Sequence, residues 1–293
     1  MLKSTKMETQ EDHFPGEHLT FQSLREKIRR SYLNKYQFIP RSPHPVEFHV
    51  SNLRHDTNFS GFEGILGDGG FKDPQRGLLW WSLSVSDSEI KDAEKHFLRH
   101  ESNNNFDVDY VKPFLHKFTS SPAFRKSSRL GNFRFTFSIK ELLNRYSEQF
   151  CMGQTPQMRI YGTVVYKQEV MYAIVVHGLD GQTEFGKCPL FQCSTVCEFQ
   201  NEKILWKPEG MSNTHSFRLG YNLKAHRVPT RKRKYYMWDH VAMVFHVPKD
   251  KVFEFNKEML LKHLSFCQGA EPKIITEEFI KCDFEVSTTQ EQA

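Results

Sequence analysis

The sequence predicts an α+β fold, one compact domain around a mixed or antiparallel sheet. Three observations predict it: helical patterns gather towards the front of the chain, strand patterns gather behind them, and no regular strand–helix–strand alternation links the two. The 293 residues suffice for one large domain or two ordinary ones. Only 38% of them are hydrophobic, yet 14% are aromatic and 26 are Phe, so the core must be built from few, large side chains. That composition excludes wholesale disorder.

The elements follow in order. From Glu17 to Tyr36, Phe21, Leu24, Ile28 and Tyr32 recur at helical spacing, with Arg25, Lys27, Arg29 and Arg30 on the remaining surface. This predicts an amphipathic helix, packed on the domain or used for association. Pro40, Pro43 and Pro45 make a stiff linker that cannot continue it. The expected organisation is a polar N-terminus with helix and linker over residues 1–42, a single domain over 43–285 and a frayed tail over 286–293.

Val46 to Ser51 reads as a short strand and the next residues as a polar turn. Asn58 to Leu66 then reads as a short helix ended by Gly67, Gly69 and Gly70. Leu78 to Val85 suits a buried strand and runs into Ser86 and Glu89, a capping box that starts a helix carrying Ile90, Ala93 and Phe97 inward. Residues 101–131, interrupted by Pro113 and Pro122, read as a long surface excursion. Asn132 to Ile139 places Phe133, Phe135 and Phe137 on one face and Arg134, Thr136 and Ser138 on the other, the pattern of a half-buried strand. Ser138 and Glu141 repeat the capping box for a helix through about Glu148. Met158 to Tyr166 and Glu169 to His177 form a hairpin or one bent strand. Further strands are expected at Ser194 to Phe199, Lys203 to Trp206 and Tyr235 to Val247, and a last helix at Asn256 to Phe266.

Composition also bounds function. A net charge of +5 from 40 well-mixed basic and 35 acidic residues gives solubility without a strong overall field. Residues 1–20 hold no apolar leader, and the longest strongly apolar run, Met171 to Val176, is too short to cross a bilayer. No membrane partner is expected. The six cysteines, among them Cys188, Cys193 and Cys197 at C-x4-C-x3-C spacing, match no zinc module even with His177 or His215 added, so no metal is expected. Their sparseness suits a reducing compartment, the cytoplasm.

One segment resembles a known family. Glu47, Phe48, His49, Val50 and Ser51, followed by Phe62, Ile65 and Leu66 and then Gly69, Gly70, Phe71 and Lys72, resemble the opening of ADP-ribosyltransferase and poly(ADP-ribose) polymerase-like domains. There a strand bearing H-x-T or H-x-S leads into a short helix and a Gly-Phe turn. The resemblance implies NAD as substrate, His49 and Ser51 on its polar edges, Trp81 as an aromatic wall for nicotinamide, and Glu169, at the start of the family's last strand, as the carboxylate under the ribose. A preorganised anion there would stabilise oxocarbenium-like charge. Val50 stands where the polymerases favour Gly, and no tyrosine of a G-x-Y-F turn follows Gly77. These departures imply a degenerate domain that acts through binding.

The blocks Gly69 to Lys72, Leu78 to Leu83, Pro113 to Phe124 and Tyr236 to Val247 are also similar to virus- and interferon-inducible proteins of fish, the grass-carp-reovirus-induced group, which implies an antiviral, innate-immune setting. The rival class is an interaction module for nucleic acid or protein. Arg231, Lys232, Arg233 and Lys234 form the one dense basic run, with Tyr235, Tyr236 and Trp238 beside it. Such a run suits a nuclear-import signal, a phosphate-contacting loop or RNA stacking, and equally an exposed basic hairpin connection.

Overall fold

The computed structural model describes residues 11–29, 46–73, 77–101, 121–166, 169–208, 217–218, 232–233 and 239–269. Among them the strands are β1 (Glu11–Pro15), β2 (Phe48–Val50), β3 (Asn52–Thr57), β4 (Gly70–Phe71), β5 (Leu78–Ser84), β6 (Ser127–Ser128), β7 (Phe133–Ser138), β8 (Gln157–Tyr166) and β9 (Glu169–His177). They continue as β10 (Cys197–Gln200), β11 (Lys203–Trp206), β12 (Phe217–Arg218), β13 (Lys232–Arg233), β14 (Asp239–His246), β15 (Phe253–Glu254), β16 (Leu264–Phe266) and β17 (Gln268–Gly269). The helices are α1 (Phe21–Lys27), α2 (Phe59–Asp68), α3 (Asp87–Glu101), α4 (Ile139–Phe150), α5 (Gln182–Phe185) and α6 (Lys257–Lys262).

Eight strands form one sheet in the order β1-β8-β9-β14-β5-β3-β7-β16. Its ladders are antiparallel except for β9 and β14, which run parallel, so the sheet is mixed and the fold is α+β. A second antiparallel sheet, β10-β11-β2, joins the first through Ser51, where the chain passes from β2 into β3.

The local chemistry accounts for the main elements. Asn58 caps α2 by accepting from the Gly61 N–H, and Gly69, at φ 68°, closes it in the left-handed conformation that glycine adopts without a Cβ penalty. Ser86 and Glu89 make the expected capping box: Glu89 Oε2 accepts from the Ser86 N–H at 2.8 Å and from its hydroxyl at 2.9 Å. Ser138 caps α4 through the Glu141 N–H. The hairpin of β8 and β9 carries a bulge between Ile160 and Gly162. Gly162, at φ 150°, leaves room for β1, because a Cβ there would lie 2.3 Å from the Phe14 carbonyl oxygen.

Residues opposite each other in a ladder share a face. One face of the large sheet turns Leu53, Trp81, Leu83, Phe133, Phe135, Phe137, Tyr172, Ile174, Val241, Met243 and Phe245 into the main core. The other carries a smaller apolar cluster of Leu78, Ala173, Val175, Phe185 and Val244, and beyond it a polar strip.

Several expectations need correcting. Residues 52–57, read as a polar turn, are the inner strand β3, because the charges on its second face find buried partners. The N-terminal segment contributes an edge strand, β1, and a helix whose Phe21 and Leu24 are fully buried. That helix ends at Lys27, with Ile28 extended, and residues 30–45 lie outside the described set. Within 101–131, residues 102–120 also lie outside it, but Pro122–Phe124 forms a 3-10 turn whose Phe124 ring packs on Phe48 and Trp206 at 5.0 and 5.5 Å. The last helix stops at Lys262, and Leu264–Phe266 pairs with β7 instead. Among the described residues no helix is long and apolar enough to cross a membrane.

Candidate functional site

The residues singled out by the family resemblance do different jobs in the fold. His49 lies on β2 opposite Leu205, exposed between the buried Phe48 and Val50. The Ser51 N–H and hydroxyl both donate to Glu89 Oε1, at 2.7 and 2.8 Å, so the α3 capping carboxylate also fixes the junction between the sheets. Trp81 is fully buried against Phe71, His55 and Phe137, and its indole N–H has no acceptor among the described residues. Glu169 opens β9 on the polar face of the large sheet, 15% exposed. His49 belongs to the small sheet and Glu169 to the large one, and no hydrogen bond or ion pair among the described residues joins them.

Of the basic run, Lys232 and Arg233 form β13, paired with Phe217 and Arg218, while Arg231 and Lys234 lie outside the described residues. Among the described residues no group of His, Cys, Asp and Glu is placed to hold a metal ion, and Cys151, Cys188, Cys193, Cys197 and Cys267 are free thiols.

The structure instead assembles an arginine cluster. Arg54 is in register with Ser82, Ser82 with Ala242 and Ala242 with Ala173, so these four share the second face of the sheet. Two-residue periodicity then puts Asp56, His240 and Glu169 on the same face, and cross-strand pairing adds Arg134 and Tyr166. Arg134 grips Asp56 with two parallel bonds, Nε to Oδ1 at 2.7 Å and Nη2 to Oδ2 at 3.0 Å. Arg54, only 5% exposed, approaches Asp56 Oδ2 at 3.6 Å and donates to the carbonyls of Arg125 and Pro122. Arg134 Nη1 donates to the same Arg125 carbonyl at 3.0 Å. These bonds pin the 122–129 segment across the sheet, and the segment brings two more guanidinium groups: Arg125 lies 3.5 Å and Arg129 3.0 Å from Glu169. Arg129 also lies over the Tyr166 ring, 5.2 Å from its centroid.

Four guanidinium groups thus meet two carboxylates. Burial draws the Arg54 guanidinium down to about 10, with Asp56 opposing, so it stays charged near neutrality. Burial also pulls His240 down to about 3, helped by Arg54, Arg129 and Arg125, so its ring is neutral. Its Nδ1 has no hydrogen-bond partner among the described residues. The local excess is cationic and half on view, because Arg125 and Arg129 are 43% and 50% exposed. Such a place favours an anion that accepts planar, forked hydrogen bonds.

Two further polar clusters are self-contained. Arg159 Nε donates to His177 Nε2 at 3.0 Å, and His177 Nδ1 donates to the Gly178 carbonyl at 2.7 Å. His18 donates from Nε2 to the Ala173 carbonyl at 3.0 Å and accepts from Ser194 Oγ at 3.1 Å, with Cys197 Sγ 3.9 Å away. Burial pulls His18 down to about 4 and pushes the Cys197 thiol up to about 12, so at neutral pH the imidazole is unprotonated and only weakly basic and the thiol is not ionised.

No protein-family model matches the chain, and neither a curated protein nor a solved structure matches it.

Proposed function

We propose that this chain is a binding protein for a phosphate-bearing ligand, with NAD as the first candidate, and that it acts by occupancy rather than by bond cleavage. The observation that carries the reading is the arginine cluster of Arg54, Arg125, Arg129 and Arg134, whose charge exceeds that of Asp56 and Glu169 and whose outer two members face solvent. The ADP-ribosyltransferase-like resemblance and its antiviral setting enter in this non-catalytic form. Glu169 already has its charge matched by two arginines, the Ser51 hydroxyl is spent on Glu89, and Trp81 offers no face to a ring. The first of these supports binding over transfer, which needs a carboxylate free to meet developing positive charge, and the other two leave the arginine cluster, rather than Ser51 or Trp81, to hold the ligand.

The test is a thermal-shift titration with NAD, wild type beside an Arg125→Gln/Arg129→Gln double variant. Ligand at about 100 times its Kd stabilises the native state by about 2.7 kcal/mol. A saturable shift in the wild type that disappears in the variant is expected; no shift at millimolar NAD overturns this choice of ligand.

A second reading rests on the ribbon of β12 and β13, which sets Arg218 opposite Lys232 beside Arg233. It takes the chain as an RNA-binding or protein-binding module. Salt-sensitive RNA binding, lost when residues 231–234 are neutralised, would favour it.

A further inference from the structure

Glu169 occupies the place an anionic ligand would take. Its Oε1 faces Arg125 at 3.5 Å and its Oε2 faces Arg129 at 3.0 Å, so two guanidinium groups on one short segment close on one carboxylate at the start of β9. The segment that carries the arginines is held independently of it. The Arg125 carbonyl is fixed by Arg54 and Arg134, and the Arg129 guanidinium lies over Tyr166, the direct cross-strand partner of Glu169. If the carboxylate swung away, the Arg125 backbone and the Arg129 guanidinium would keep these contacts.

We infer that Glu169 is a built-in competitor that occupies the Arg125–Arg129 pair until a pyrophosphate or terminal phosphate displaces it. The inference rests on the anion-binding reading above and adds to it the class of anion and the control of access. Charge decides the class. A phosphodiester in a nucleic-acid backbone carries one negative charge, as the carboxylate does, and must also overcome the tethered group's high local concentration. A pyrophosphate or terminal phosphate offers about two charges and more acceptor oxygens to the same pair of forks, so it can displace a carboxylate that a diester cannot.

Titration calorimetry with inorganic pyrophosphate tests this, using the wild type, Glu169→Gln, Arg129→Gln and the exposed-site control Glu148→Gln, which removes the same charge from the outer surface of α4. Glu169→Gln keeps the side chain's size, and its unfolding curve is recorded first to establish that it folds. Pyrophosphate affinity is expected to rise about tenfold or more in Glu169→Gln, to stay within about twofold of wild type in Glu148→Gln, and to vanish in Arg129→Gln. In the wild type, a single-stranded oligonucleotide is expected to bind at least about tenfold more weakly than pyrophosphate. Equal pyrophosphate affinity in wild type and Glu169→Gln would overturn the competitor and leave the binding reading standing. No binding by either protein would overturn both, and wild-type affinity for the oligonucleotide equal to that for pyrophosphate would overturn the class of anion.

Discussion

Replacing Asp56 with Ala strikes the point where the polar face of the sheet is tied together. Asp56 takes two charge-assisted bonds from Arg134, at 2.7 and 3.0 Å, and an approach of 3.6 Å from Arg54. Its side chain is 7% exposed, against 5% for Arg54 and 12% for Arg134, so the truncation leaves two cations beside each other with little water to replace the carboxylate. Removing one partner of a buried pair costs about 3–5 kcal/mol. Arg54 keeps its bonds to the Pro122 and Arg125 carbonyls, and Arg134 its bond to Arg125, which places the cost near the lower end, about 3 kcal/mol. For a domain of this size that corresponds to a fall in Tm of about 6–12 °C. Urea and thermal unfolding of Asp56→Ala measure it, and the double variant Asp56→Leu/Arg134→Met is expected to recover part of the loss, because no stranded Arg134 charge remains. A loss below about 1 kcal/mol in Asp56→Ala would refute the claim that this ladder of charges holds the strip together.

Trp81→Ala is expected to cost about 3–5 kcal/mol of stability, the price of a large core cavity, and Trp81→Phe far less, since it removes an indole N–H that has no acceptor among the described residues; denaturant titration of both separates a core role from a ligand-contacting one. Gly162→Ala puts a methyl 2.3 Å from the Phe14 carbonyl oxygen at a φ of 150°, so about 1–3 kcal/mol of strain should loosen β1 and speed proteolysis within residues 11–29. His18 has its folded-state value lowered from 6.5 to about 4 by burial, so the unfolded chain binds a proton more readily in that window. Stability is therefore full above pH 6.5 and falls as pH drops towards 4, by at most about 3 kcal/mol for this residue. His240 acts in the same direction, and His18→Gln should flatten the pH 7 to 4 stability profile.

The local grammar of the fold was legible because its causes lie within a few residues. The alternation of Phe133, Phe135 and Phe137 and the Ser86–Glu89 and Ser138–Glu141 caps appear in the structure where the sequence put them, and α2 starts after Asn58 as expected but runs on through Gly67 to Asp68 before Gly69 ends it. What escaped was set by distant partners. Strand β3 looks like a turn until Arg134, 78 residues away, matches Asp56 and makes burial of a charged face tolerable. Strand β1 carries only Phe14 as an apolar side chain and is held by main-chain pairing to β8, which no side-chain period announces. The arginine cluster draws on β3, β7, β9, β14 and the 125–129 segment, so no window of the sequence contains it. A weak sign was present at Arg134, which sits at a polar position of the Phe133–Phe137 alternation.

The way β1 is attached sets where the chain can be shortened. The proline-rich stretch invites a cut at Pro43, yet such a cut removes the strand that covers β8 and the helix that buries Phe21 and Leu24. The bared edge would present the unpaired backbone of Gly162 to Tyr166, whose Val164 and Val165 had been buried. Edges of that length and character recruit other chains. A fragment beginning at Pro43 is therefore expected to self-associate into concentration-dependent aggregates, while one that retains residues 11–29 stays monodisperse.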